Sequence, residues 1–215
     1  MKIFDSMGPN PRFVRMFVIE KGLSIPAETV DLMAGENRKD SHLARNPAGQ
    51  LPCLETDTGA MVSEITAIAE YLEEMQPTPA LIGNNAAERA ETRMWTRRID
   101  LNICEPLANG FRYAEGLGLF QERMRTIPEA AEGLKALKHD NLAKLDQWMA
   151  GLEYVCGDRL TMADLLLFSF LDFGVLVGQP LDPELKNIGA HFKRMSERPS
   201  AAASLEPAAD GGTIG

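Results

Sequence analysis

The sequence predicts a small α/β domain followed by an all-α domain, and three observations carry that prediction. Short apolar runs bounded by turn residues alternate with helical spacing only up to about residue 76. Pro77-Thr78-Pro79 then interrupts the chain and cannot continue a helix. Past about residue 85 strand signals stop, and the remaining apolar patterns have helical period. The expected organisation is an α/β domain of order βαβ-α-ββα over 1–76, a linker over 77–85 and a helical domain over 86–199. Residues 200–215, small and rich in Gly and Ala, read as a frayed, mobile tail.

Taken in order, residues 2–5 form a first strand, and Ser6-Met7-Gly8-Pro9-Asn10-Pro11 is a turn. Phe13, Val14, Met16, Phe17 and Val18 then follow a helical period and are apolar on more than one face, so this helix is expected to be buried. Asn10 is a favoured N-cap, Pro11 suits the first helical position, and Lys21-Gly22 supplies a cation and a stop. A second strand spans 27–32, completing a βαβ unit. Runs at 51–55 and 60–62 flank Asp57-Thr58-Gly59 as a hairpin, and a helix covers 65–75. In the second domain, helices are expected over 86–116 with a kink at Pro106, over 129–151, over 165–177 behind Thr161 and Asp164, and over 183–198.

Composition narrows the function. With 22 Lys+Arg against 31 Asp+Glu the 215-residue chain carries a net charge of -9, which argues against nucleic acid and anionic membranes as partners. The chain opens without an apolar leader, and no window reaches the roughly 18 apolar residues of a membrane span, so a cytoplasmic protein is expected. Cys53, Cys104 and Cys156 are too scattered for a disulfide framework and read as buried small hydrophobes. His42, His139 and His191 fall on polar stretches without metal-like spacing, and no metal is expected.

The loop at Gly8 and Asn10 opens the first helix, where unpaired amides carry about half a positive charge and can hold a carboxylate or lower a thiol pKa. Asn10 acting only as a cap explains the same residues. Ser6, at the end of the first strand, could donate to sulfur or make an ordinary turn hydrogen bond.

Three motifs in register resemble the cytosolic glutathione transferases over nearly the whole chain. Asn46-Pro47-Ala48-Gly49-Gln50-Leu51-Pro52 is similar to that family's N-P-x-G-x-[IV]-P. Glu64-Ile65-Thr66-Ala67-Ile68-Ala69-Glu70-Tyr71-Leu72 is similar to E-S-x-A-I-x-x-Y-L, and 161–164 matches the interior capping box. The opening from Phe4 to Arg15, with Asp31 to Glu36, resembles a fungal and bacterial branch lacking the usual Tyr, Ser or Cys activator. Gly8, Pro9 and Pro11 stand where other classes carry a hydroxyl or thiol, and Asn10 is the polar side chain left on that turn.

The resemblance implies a thioredoxin-like first domain that takes glutathione as co-substrate. Gln50, Leu51 and Pro52 would lie along the peptide, with Leu51-Pro52 cis, and Glu64 and Ile65 at the γ-glutamyl end. Two positions depart from the pattern: Ile65 replaces a Ser whose hydroxyl holds the γ-glutamyl carboxylate, and Asn37 replaces a His at the glycyl end. Arg38 or Lys39 is placed to compensate. In the long helix of the second domain, Ala108, Asn109, Arg112 and Tyr113 would face a second substrate, although a structural ion pair explains Arg112 equally well.

The expected function is conjugation of the glutathione thiolate to a small hydrophobic electrophile in an interdomain cleft. The same fold also serves non-catalytic ligand-binding or regulatory modules and glutathione-dependent lyases, reductases or dehalogenases. A homodimer is expected, with Met94, Trp95 and Ile99 forming an apolar stripe on the long helix.

Overall fold

The computed structural model describes residues 1–209 and 211–215. The chain divides into two compact units, the first made of Met1–Ile82 with Glu197–Gly215 and the second of Gly83–Ser196.

In the first unit, β1 (Lys2–Asp5), α1 (Pro9–Glu20) and β2 (Ile25–Thr29) form the βαβ unit, with Ile3 opposite Ala27 in parallel register. After a 3-10 turn at Glu36–Arg38 come α2 (Asp40–Leu43), β3 (Cys53–Glu55), β4 (Met61–Val62) and α3 (Ile65–Met75). The second strand lies earlier than the sequence expects. Val30 still donates to Asp5 O (2.9 Å), but Asp31 Oδ1 captures the Ala34 amide (2.9 Å), and that side-chain turn ends the strand.

All of residues 11–18 in α1 are buried, Arg12 and Arg15 among them. Arg15 Nη1 holds both oxygens of Asp5 (2.9 and 3.0 Å) and Ser6 O (2.8 Å), while its Nε donates to Ser204 O (2.9 Å). Arg12 Nη2 donates to Ala201 O (3.2 Å). The C-terminal residues expected as a frayed, mobile tail are therefore docked. They form a helix at Pro199–Ala203 and β5 (Thr213–Ile214), which pairs antiparallel with β2 and extends the sheet to the order β4-β3-β1-β2-β5. Small residues are what let this segment lie against α1, where its carbonyls meet the guanidinium donors that burial would otherwise leave unsatisfied.

Lys21, expected to supply a cation at the helix end, is buried and pairs with Glu73 at 2.7 Å. Glu73 also accepts the Leu81 and Ile82 amides (3.2 and 2.9 Å), so the segment after the prolines packs on the first unit through buried Leu81 and Ile82 instead of running free.

In the second unit, the expected long helix is broken into α4 (Ala86–Ile99), a π-helical turn at Asp100–Cys104 and α5 (Glu105–Arg112). Pro106, which has no N–H to donate, sits at the start of α5, and the Glu105 amide bonds back to Asp100 O. There follow α6 (Leu117–Phe120), α7 (Ala131–Trp148), α8 (Met162–Leu176) and α9 (Lys186–Ser196). Helix α8 forms the core, with Leu165, Leu166, Leu167, Phe168 and Leu171 all buried. Its buried Asp164 accepts from Thr161 N (2.9 Å), Thr161 Oγ1 (2.9 Å), Val155 N (2.8 Å) and His191 Nε2 (3.0 Å). His191 is thus a core residue, not a polar-surface one. Among the described residues no helix is long and apolar enough to cross a membrane, and no group of three His, Cys, Asp or Glu is placed to hold a metal ion.

Candidate functional site

The strand register gathers three loops at one end of the sheet. Phe4 pairs with Cys53 in antiparallel β1 and β3, so the exit from β1 toward α1 lies beside the Leu51-Pro52 entry to β3. Leu54 pairs with Val62, and β4 therefore runs back to the same end and delivers Ser63, Glu64 and the start of α3 there. Two helix N-termini and one extended loop thus share an edge, an arrangement suited to an anionic peptide.

Gly8, not Asn10, precedes the first turn of α1, at φ 119°, a conformation that favours glycine. Asn10 is the second residue inside the helix, and its half-buried side chain makes no hydrogen bond to any described residue. The capping role is corrected, because the left-handed backbone at residue 8 already sets the helix start. Pro9 and Pro11 have no N–H, so the amides of Gly8 and Asn10 are the donors this turn offers. Ser6 is buried, and its hydroxyl donates to Val30 O at 2.9 Å. Its one proton is committed to the fold, which removes Ser6 as a donor to sulfur.

The Leu51-Pro52 peptide is cis. Gln50 O is held by Asn46 Nδ2 (2.9 Å) and His42 Nε2 (3.2 Å), which fixes the His42 proton on Nε2. The Leu51 amide and carbonyl take no partner among the described residues. Gly49 turns the loop at φ 64°, where an added Cβ would stand 3.0 Å from Arg38 Nη1 and 3.1 Å from Asn37 O. Asn37 itself is buried, with Nδ2 donating to Gly49 O at 2.7 Å, so it fastens this loop and does not present its amide as a surface donor. Lys39 pairs with Glu36 (3.3 Å), whereas Arg38 is exposed beside Gly49 with no ion-pair partner among the described residues. His42 was not identifiable as a site residue in the sequence. Its trace there is the four-residue spacing to Asn46, which puts both side chains on one acceptor.

Glu64, exposed at the start of α3, has φ 68°, the one non-glycine residue among those described with a left-handed backbone. Such a conformation persists where function or packing demands it. Ile65 is half-buried, and the first amides of α3 have no backbone partners. Burial pushes the Cys53 thiol up to about 11, with Arg45 opposing weakly, so Cys53 behaves as core.

Within the helical unit, Ala108 is buried in the core. Asn109 bridges Glu105 Oε2 (3.1 Å) and Arg112 Nη1 (2.9 Å), and Arg112 lies 5.8 Å from the centre of the Phe120 ring. Arg112 is therefore partnered within its own unit, and Tyr113 is half-buried. Of the apolar stripe, Ile99 is buried, Trp95 leans on Trp148, and Met94 alone is substantially exposed.

A thioredoxin-like unit with a cis-proline loop beside two helix N-termini, followed by a helical domain, defines a two-domain fold of known type. The glutathione S-transferase N-terminal domain model matches residues 7–75 and the glutathione S-transferase C-terminal domain model residues 120–199. The chain belongs to the glutathione S-transferase family. It is 32% identical to glutathione S-transferase 2 of Saccharomyces cerevisiae, covering 96% of this chain and 90% of that one. It is 30% identical to GstA of Escherichia coli O157:H7, with 95% and 97% covered. The crystal structure of Gtt2 from Saccharomyces cerevisiae superposes with a TM-score of 0.89 at 30% identity, over 95% of this chain and 100% of that one.

Proposed function

We propose that this protein is a glutathione transferase that holds glutathione on its first unit and uses the thiolate to attack a small hydrophobic electrophile. The observation that supports this most is the Leu51 peptide group, whose N–H and C=O are both unpaired where the register puts them, beside the Gly8 turn. There they pair the cysteinyl unit of glutathione as an added strand. His42 and Asn46 act as positioning residues, since they fix the carbonyl immediately before it. The γ-glutamyl carboxylate meets the free amides of Ile65 and Thr66 at the start of α3. Arg38, in place of the expected Asn37, meets the glycyl carboxylate.

The sulfur comes to the Gly8 and Asn10 amides. Binding lowers the thiol pKa and the proton leaves to water; as the thiolate forms a carbon–sulfur bond, the carbon–halogen bond of an aryl halide breaks and releases halide, or an epoxide carbon–oxygen bond or an alkene π bond breaks and the resulting anion takes a proton from water. From the helical unit, Tyr113 and Arg112 are the contacts assigned to the second substrate, and Ala108, being core, is not. A cytoplasmic homodimer is the expected form.

Calorimetric titration with glutathione beside a panel of aryl halides, epoxides and activated alkenes tests the reading. Saturable binding with conjugate formation is expected. Binding without turnover across the panel would favour a carrier or regulatory module, and no binding would remove the reading.

A further inference from the structure

Among the described residues two lysines are buried, and their surroundings differ. Lys21 pairs with Glu73 at 2.7 Å. Lys138, on α7 and 8% exposed, forms no ion pair with any described residue, and its polar contact is Gln179 Oε1 at 3.4 Å. An ammonium buried without a counter-charge is unfavourable, and a lysine relieves this by giving up its proton.

The groups around it are fixed. Gln179 is itself buried, and its Nε2 donates to Leu107 O (3.1 Å), which turns Oε1 toward Lys138. On α5, Gly110 leaves the space open, since an added Cβ would stand 3.0 Å from Lys135 Cγ and 3.7 Å from Gln179 Nε2. Lys135 lies one turn before Lys138 on α7 and holds Glu115 (2.6 Å) and Glu132 (3.1 Å). Burial, and after it the Lys135 cation, push the Lys138 pKa below its ordinary 10.5. The result is a sheltered amine beside a cation that is held in place.

We propose that Lys138 is a carbon dioxide site, at which the side-chain amine forms a carbamate that faces Lys135. From the neutral amine, the nitrogen lone pair forms a bond to carbon, one C=O π pair moves onto oxygen, and the proton lost from nitrogen goes to water. The remaining N–H still donates to Gln179 Oε1, and the new anion gains Lys135 as its partner. An unpaired cation beside a second cation thereby becomes an ion pair, which a neutral acyl group on the same nitrogen would not achieve. Carbon dioxide is also small and uncharged, as entry to an almost closed site requires. This inference is independent of the transferase reading, because Lys135, Lys138 and Gln179 are assigned neither to glutathione nor to its electrophile.

The test follows carbon NMR of the full chain equilibrated with isotopically labelled bicarbonate, which supplies carbon dioxide. A saturable carbamate resonance is expected in the native protein and is expected to be missing from Lys138→Met, whose side chain is apolar and of similar length. Lys135→Gln changes a side chain at the rim of the bundle, so the fold should persist. It should weaken the affinity for carbon dioxide by about tenfold, as loss of a charge-assisted partner implies. A carbamate signal of equal size in the native protein and Lys138→Met would overturn the proposal, as would no signal at saturating bicarbonate. So would unchanged affinity in Lys135→Gln, since the anion would then owe nothing to the cation it is said to face.

Discussion

Arg198 grips Glu20 with two donors, Nε and Nη2 each 2.7 Å from a carboxylate oxygen, and the Ser200 hydroxyl donates to the same group. Burial alone would raise the Glu20 pKa, but the Arg198 and Ser200 hydrogen bonds outweigh it and leave the carboxyl below its ordinary 4.5. A carboxylate with a depressed folded pKa contributes stability that is present above its unfolded value and lost as pH falls through the folded one. Glu20→Gln should therefore lower stability at pH 7 by about 1 to 3 kcal/mol. It should also shrink the further loss seen between pH 5 and 3, both read from urea midpoints. Equal acid sensitivity in the two proteins would contradict this role for Glu20.

The thiols should be silent. Cys53, Cys104 and Cys156 are all buried and all have pKa values raised, first by loss of hydration, with Cys53 at about 11. A chromogenic disulfide reagent at pH 8 should label none of them in the native protein and three after unfolding. Rapid labelling of one native thiol would reopen Cys53 as a reactive group.

What could be read in advance follows from the range of the interactions. The 46–52 loop and the α3 entry are local motifs, and their order along the chain is enough to resemble the family. The capping box was equally legible, since Thr161 and Asp164 are three residues apart and satisfy one another. The docking of the C-terminal segment was not, because it depends on Arg12 and Arg15 reaching carbonyls 189 residues away, and a run of Ala and Gly carries no periodic sign of that. The cap position of α1 and the state of the Ser6 hydroxyl were hidden for a related reason. Whether a hydroxyl is free depends on Val30 across the sheet, and the helix start was taken by a glycine whose backbone angle no side-chain pattern reveals.

Asp164 accepts four hydrogen bonds in the core of the helical unit. Asp164→Ala would leave the Val155 and Thr161 amides and the His191 ring without their acceptor. Each abandoned buried donor costs about 1 to 3 kcal/mol, so a loss of at least ~3 kcal/mol is expected in chemical denaturation. A change below about 1 kcal/mol would show that water replaces the carboxylate.

At the glutathione end, Ile65→Ser should restore a hydroxyl to the γ-glutamyl carboxylate and lower the dissociation constant by about ten- to a hundredfold, as a charge-assisted hydrogen bond allows. Arg38→Ala should raise it by about tenfold through loss of the glycyl partner. Calorimetry on both variants checks the pair, and unchanged affinity in both would move the peptide off this edge of the sheet.

On the proposed function, the turn at Gly8 and Asn10 holds glutathione as a thiolate with no hydroxyl or thiol of the protein to help. Ultraviolet difference titration of the protein–glutathione complex measures this directly, by giving the pKa of the bound thiol. A value near 6.5, about two below the roughly 8.5 of a free thiol, is expected, raised toward it in Asn10→Pro, which deletes one of the two amides, with Ser6→Ala unchanged. A bound thiol that titrates as it does in free solution would contradict it.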